Sequence, residues 1–462
     1  MKERVKIANG MIYLEGKLQK KTLIIENGVI VDILDEDNQA DFNGKVIDCR
    51  GKHVLPGTMD THVHIREPGS EERETFFTGT MAAAAGGVTT VFEHPISKPP
   101  PYNETIFKNR LALADQQIVV DCCLYGALGT DSLDQVPRMK ELGIISYKTF
   151  LQEPMKGREL EFEGLTISDD YHLLRAMEEG AEHDVLLAFH AENDDIIQGS
   201  TQTLIENGRV DVKAHYESRP VIAEIESISK LLLLAEHTNA RIEICHVSSA
   251  EALKLLREAK KKGISVIVET CPQFMFNCEE DVLKLGVYAK CNPPIRPKAG
   301  LEAIWECVND GTVDIIGSDH APYTLEEKQR GKENIFMAPA GFPGIETRVP
   351  LMLDAVNKKR VSLERFVELM SENPARLFRI DHRKGYIRKG FDADLIVVDM
   401  NKEYTIDKHK MHTKRPEVAE IYHGREITGT IERVLVRGKV VMEEGRIKKD
   451  AAGYGEIIKP KQ

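Results

Sequence analysis

Short apolar runs alternate with helically spaced segments through the middle of this 462-residue chain, and that alternation restricts the fold more than any single motif. The runs at 88–92, 144–148, 185–190, 241–246, 264–269 and 313–317 are rich in β-branched and apolar residues and read as strands. Segments such as 225–234 and 250–256 carry apolar residues at helical spacing. Repeated strand–helix units of this size build either a closed parallel barrel or an open doubly wound sheet. Polar residues able to do chemistry close several runs: Lys148, His190 and His246, with Asp319 just after the last. A barrel brings all such strand ends to one mouth, whereas an open sheet spreads them along a crevice. Convergence therefore favours an α/β fold with a (β/α)8 TIM-like barrel.

Both chain ends have another texture. Asn9-Gly10 and Asn27-Gly28 sit between short apolar runs and fit hairpin turns. Residues 393–399, 431–436 and 439–442 are further strand candidates, the last two separated by Arg437-Gly438. The reading is one small β-sandwich domain built from residues 1–54 and 386–462 around a barrel of residues 55–385. Such a domain is discontinuous in sequence.

Composition narrows the function classes. A formal charge of −12 argues against a nucleic-acid surface, because backbone phosphates repel an acidic protein. Residues 1–7 lack the apolar core of a secretion signal, and no apolar run is long enough to span a bilayer. Eight scattered cysteines, with no CxxC, read as reduced thiols in a cytoplasmic protein. GxGxxG, Walker and Gly-x-Ser-x-Gly signatures are missing. Gly86-Gly87 reads as the structural turn from a helix into the strand at 88.

His62 and His64 follow residues 52–60, which read as one strand. Alternate residues of a strand share a side, so both imidazoles can reach one cation. Alone, this pair is more often two loop histidines than a ligand pair. With His190 and His246 at other strand ends, it outlines a metal hydrolase site. Asp319 can ligate a cation, take a proton from a water whose pKa the cation lowers to about 7, and return it to a leaving nitrogen. Asp60 can orient a ligand histidine, and Arg66 can clamp a carboxylate or polarised carbonyl. Lys148 by itself reads as a salt-bridge partner, since an ammonium has no lone pair. Only an amine that has captured carbon dioxide, a carbamate, offers oxygen donors.

Longer stretches carry a family resemblance. They are Pro56-Gly57-Thr58-Met59-Asp60-Thr61-His62-Val63-His64, the segment 82–90, Tyr147-Lys148-Thr149-Phe150, Phe189-His190-Ala191-Glu192-Asn193, Ile244-Cys245-His246-Val247-Ser248-Ser249 and Gly317-Ser318-Asp319-His320-Ala321-Pro322. Together they resemble the amidohydrolase superfamily in its cyclic-amide branch: allantoinases, dihydroorotases and hydantoinases (dihydropyrimidinases). The resemblance implies two divalent cations, zinc by default. His62 and His64 hold the more buried one, His190 and His246 the second. Lys148, as N6-carboxylysine, bridges both, and Asp319 binds the first and shuttles the proton. Hydroxide between the cations attacks a ring amide and the C–N bond breaks. A homo-oligomer, expected to be a tetramer, is also implied.

The ring is read from a mixed pattern. Arg66 stands where dihydroorotases carry a carboxylate-gripping arginine. His94-Pro95-Ile96-Ser97 replaces their Met-Pro-Asn-Thr, and Tyr323 replaces the histidine of their Asp-His-Ala-Pro-His. The segments 215–220, 269–274 and 289–296 look more like allantoinases and hydantoinases, and Asn292 in the last is assigned to substrate. The expected reaction is allantoin to allantoate, with dihydroorotase or hydantoinase activity as alternatives. Non-catalytic scaffold relatives lack several ligands, whereas all six positions are present here.

Overall fold

In the computed structural model of the protein, residues 4–35, 42–154 and 157–461 are described. Six strands open the chain: β1 (Arg4–Ala8), β2 (Met11–Leu14), β3 (Lys17–Glu26), β4 (Val29–Asp35), β5 (Lys45–Asp48) and β6 (His53–Pro56). Nine follow: β7 (Thr58–Val63), β8 (Val88–Glu93), β9 (Asp121–Leu124), β10 (Gly126–Ala127), β11 (Tyr147–Phe150), β12 (Leu186–His190), β13 (Arg241–Ile244), β14 (Val266–Thr270) and β15 (Ile315–Ile316). Four end it: β16 (Leu395–Thr405), β17 (Glu426–Val436), β18 (Lys439–Glu443) and β19 (Arg446–Ile447).

The middle strands are parallel, in the orders β7-β8-β9 and β10-β11-β12-β13-β14-β15. Ile145 N–H bonds Leu124 O at 3.0 Å, joining the two groups at one seam. The Val63–His320 bridge closes the other, so the fold is a (β/α)8 barrel. Alternation along each strand assigns its faces. Leu186 and Ala188 of β12 and Ile267 of β14 join Met59, Phe92, Cys245 and Ile315 in one apolar cluster. Leu187, Phe189, Val266 and Val268 belong instead to the large core shared with the helices. Such strands are apolar on both faces because both are covered.

The helix Ala250–Lys261 shows why these connections form. Ser249 caps it by accepting from Ala252 N–H at 3.3 Å, and Lys260 and Lys261 complement its C-terminal dipole. Leu253, Leu256 and Ala259 are buried against the barrel, so Leu253→Ala should cost about 2–5 kcal/mol.

The two termini build one sheet, in the order β19-β18-β17-β16-β6-β2-β3-β1-β5, with β4 on β3. N-terminal β6 pairs antiparallel with C-terminal β16, Pro56 facing Leu395. This is the small β-sandwich domain of both ends, with its own core of Ile7, Ile12, Leu23, Val54, Leu395 and Leu435. Asn27-Gly28 turns β3 into β4 with φ of 49° and 84°, as a two-residue hairpin requires.

Two expectations need correction. Residues 52–60 are not one strand: β6 ends at Pro56, and β7 starts a different sheet at Thr58. Gly57 makes the crossing because a Cβ there would lie 2.2 Å from Thr89 Oγ1. Asn9-Gly10 joins no hairpin: β1 pairs with β3 and β5, β2 with β3 and β6. Asn9 supplies the left-handed turn, at φ 62°, but β3 inserts between the flanking strands.

Candidate metal centre

Each strand end delivers its side chain to one mouth of the barrel. His62 lies on β7, and His64 stands one residue past its end, held by its backbone N–H on His320 O at 2.8 Å. His190 is the last residue of β12, His246 lies just past β13, and Asp319 just past β15. His62 Nε2 and His64 Nε2 are 3.6 and 3.4 Å from Asp319 Oδ1. His190 Nδ1 faces His246 Nε2 at 3.1 Å. The pairs adjoin: the His62 and His246 ring centroids are 5.1 Å apart. Lys148, on β11, is fully buried, with its Nζ 2.9 Å from Cys245 Sγ and 5.3 Å from the Phe150 ring centroid.

Two of these residues hold unusual backbone. His246 (φ 38°) and Asp319 (φ 50°) occupy the left-handed region, which costs a non-glycine residue energy. Both are buried at the barrel mouth rather than at exposed turns. That strain turns each side chain inward as its strand ends.

The donor atoms fit a metal centre. Burial lowers the pKa of His62, His64, His190 and His246, so the imidazoles are neutral bases. His62 Nε2, His64 Nδ1 and His246 Nδ1 are buried without a hydrogen-bond partner among the described residues. His62, His64 and Asp319 each offer a ligand atom within 4.8 Å of the others. Imidazole nitrogens with a carboxylate suit zinc and similar ions. Burial also pushes the Asp319 carboxyl up to about 7, against the pull of Lys148 and with a further push from Glu269.

The four histidines and Asp319 border a cavity of about 590 Å³, and Arg66 and Asn292 line it too. Arg66 is buried, with Nε and Nη1 unpartnered among the described residues and its guanidinium 4.8 Å from the Tyr323 ring centroid. Asn292 Oδ1 is likewise buried and unpartnered. These two substrate candidates therefore meet the cation candidates in one space.

Comparison with known proteins agrees with this geometry. The family model described as "Amidohydrolase family" matches residues 53–441. This chain belongs to the amidohydrolase family. An L-hydantoinase of Paenarthrobacter aurescens is 31% identical over 457 residues, 98% of this chain and 97% of that protein. An allantoinase of Deinococcus radiodurans is 32% identical over 450 residues, 97% of this chain and 96% of that one. Among solved structures, the L-hydantoinase (dihydropyrimidinase) from Arthrobacter aurescens superposes with a TM-score of 0.93 at 31% identity, covering 99% and 100% of the two chains. These relatives place the chain in the cyclic-amide branch of the amidohydrolases.

Some residues of this amidohydrolase site escaped the sequence reading. Asp60 does not hold a ligand ring: its Oδ1 accepts from the backbone N–H of His62 (3.3 Å) and of Ser318 (2.9 Å). The ring of His62 bonds instead to Glu269, and that of His190 to Glu192, at 2.7 and 2.8 Å. A signal existed for Glu269, a carboxylate near the end of an apolar strand like the histidines. His94 stacks on His62 at 3.7 Å between centroids, a contact no local pattern announces. Tyr323 lies within 4.8 Å of both the Arg66 and Arg73 guanidiniums, so the missing dihydroorotase histidine is replaced by a ring under two cations.

Proposed function

We propose that this amidohydrolase opens a cyclic amide ring with water, and that its substrate is allantoin, giving allantoate. One observation carries the reading: four neutral imidazoles, Lys148 and Asp319 converge beside a cavity that also holds Arg66 and Asn292. Full-length similarity to allantoinases supports the choice of ring. When bound, two divalent cations, zinc by default, activate water near neutral pH and polarise the amide carbonyl. His62 and His64 with Asp319 would hold one, and His190 and His246 the other. Lys148, if carboxylated on Nζ, would add an anionic oxygen donor to that set.

The chain's own groups handle the rest. Asp319, with its carboxyl near 7, accepts a proton as water adds to the carbonyl carbon and returns it to the ring nitrogen as the C–N bond breaks. Arg66 and Asn292 offer a donor and an acceptor to the ring's polar substituents. We further propose a cytoplasmic homotetramer, divided into a sandwich of 1–54 and 386–462 and a barrel of 55–385. Among the described residues no helix is long and apolar enough to cross a membrane, and all eight cysteines are free thiols.

The test is a substrate panel of allantoin, dihydroorotate, hydantoin and dihydrouracil on zinc-replete, bicarbonate-treated enzyme. Hydrolysis of allantoin well above the others supports the reading, and hydrolysis confined to dihydroorotate overturns the ring. That second ring has a specific argument in Arg66, whose Nε and Nη1, unpartnered among the described residues, suit a substrate carboxylate. Light scattering showing a monomer at working concentration would overturn the tetramer.

A further inference from the structure

Glu269 sits on β14, whose side chain no part of the proposed reaction uses, yet it is fully buried beneath the metal centre. Its Oε1 lies 2.7 Å from His62 Nδ1 and accepts the His246 backbone N–H at 3.0 Å. Its Oε2 accepts the Thr61 hydroxyl at 2.9 Å. Among the described residues no lysine or arginine hydrogen-bonds to it. One carboxylate thus ties the strand carrying His62 to the segment carrying His246.

We propose that Glu269 is the positioning residue of the metal centre, holding His62 in the tautomer that binds a cation and locking the two halves in register. The proposal rests on the metal-centre reading above. A carboxylate accepts from Nδ1–H, so the proton sits on Nδ1 and the lone pair on Nε2. Nε2 is the atom buried without a partner and aimed toward Asp319. An acceptor on the far side of a ligating imidazole fixes the ring's rotation and raises its basicity, and losing one typically weakens metal binding 10–100-fold. The shared contact with the His246 backbone extends that hold to one member of the other pair, where the left-handed backbone at φ 38° needs a fixed partner. The surroundings are shaped around this carboxylate: a Cβ at Gly317 would lie 2.5 Å from Glu269 Oε2 and 2.8 Å from His62 Cβ.

Glu269→Gln is the sharp variant, because glutamine keeps the size, can accept the two N–H bonds through its amide oxygen and donate to the Thr61 hydroxyl, and loses the charge. Zinc affinity is measured by competition with a chromophoric chelator, and the ligand field by the visible spectrum of cobalt-loaded protein. The expected result is an intact fold by thermal unfolding, zinc affinity weaker by about 10–100-fold and an altered cobalt spectrum. Thr61→Val, which removes one bond to the carboxylate, should weaken zinc by about fivefold. If Glu269→Gln fails to fold, the Thr61→Val measurement decides. Wild type binding two zinc ions while the variant that folds binds them with unchanged affinity and spectrum overturns the proposal alone. Wild type binding no zinc overturns the metal centre itself, and this inference with it.

Discussion

The two histidine pairs stand on carboxylates in opposite electrostatic settings. Glu269, behind His62, is buried with no hydrogen-bonded lysine or arginine among the described residues, and burial pushes its carboxyl up to about 7. Glu192, behind His190, is buried as deeply, but Arg219 and then His190 outweigh the burial and hold it down to about 2. Arg219 bonds Glu192 directly. The same support is thus neutralised within the protein on one side, and awaits positive charge at the centre on the other. A buried carboxylate is tolerated only where something answers its charge. The His62 half should therefore depend more on cations for its stability than the His190 half.

The largest expected effect breaks the comparison by removing the side chain proposed to join the halves. Lys148→Ala should lower kcat/KM by about a thousandfold or more and empty both halves of metal, read by steady-state kinetics and elemental analysis. Full activity with full metal content would end the bridging role. Next, Arg219→Gln leaves the Glu192 charge buried without its hydrogen-bonded guanidinium. It should destabilise the fold by about 3–5 kcal/mol in urea unfolding, with or without zinc. A loss seen only in metal-free protein would erase the contrast between the halves.

Acid titration of the chelated protein separates the two carboxylates by sign. Glu192 is ionised in the folded state down to about 2, against an ordinary 4.5, so its stabilisation is complete above 4.5 and lost as pH falls toward 2. Glu269 takes up its proton near 7 in the folded chain and only near 4.5 in the unfolded one, so its penalty is relieved as pH falls from 8 to 5. Glu192→Gln should reduce the change in the first window and Glu269→Gln that in the second, where Asp319 also titrates, in stability curves from chemical unfolding. Equal changes in both windows would refute the assignment. The smallest effect lies away from both carboxylates: Arg66→Gln should cost about tenfold in kcat/KM while leaving zinc content unchanged, because its guanidinium lines the cavity and offers no lone pair to a metal.

Much of this site was readable one residue at a time. A histidine or aspartate closing an apolar run needs only the alternation of strand and helix to be placed at a barrel mouth, so His62, His64, His190, His246 and Asp319 were within reach. The sandwich was readable because strands at both ends shared a short, turn-rich texture. Contacts between strands distant in sequence were not. Asp60 was expected to hold a histidine ring but bonds backbone instead, since register across the closed barrel, not local spacing, chooses which carboxylate meets which imidazole.

By itself, the order of residues determined the parallel strand–helix repeat, the residue types at the strand ends and the discontinuous terminal domain, because periodicity and turn chemistry are local properties. Only the closed barrel decided that Glu269 reaches His62, that β6 and β7 part company at Gly57, and that Arg66 keeps donors free beside the cavity. Those outcomes depend on how strands stagger around the ring and on what is left without a partner inside it, and neither is carried by any short stretch of the chain.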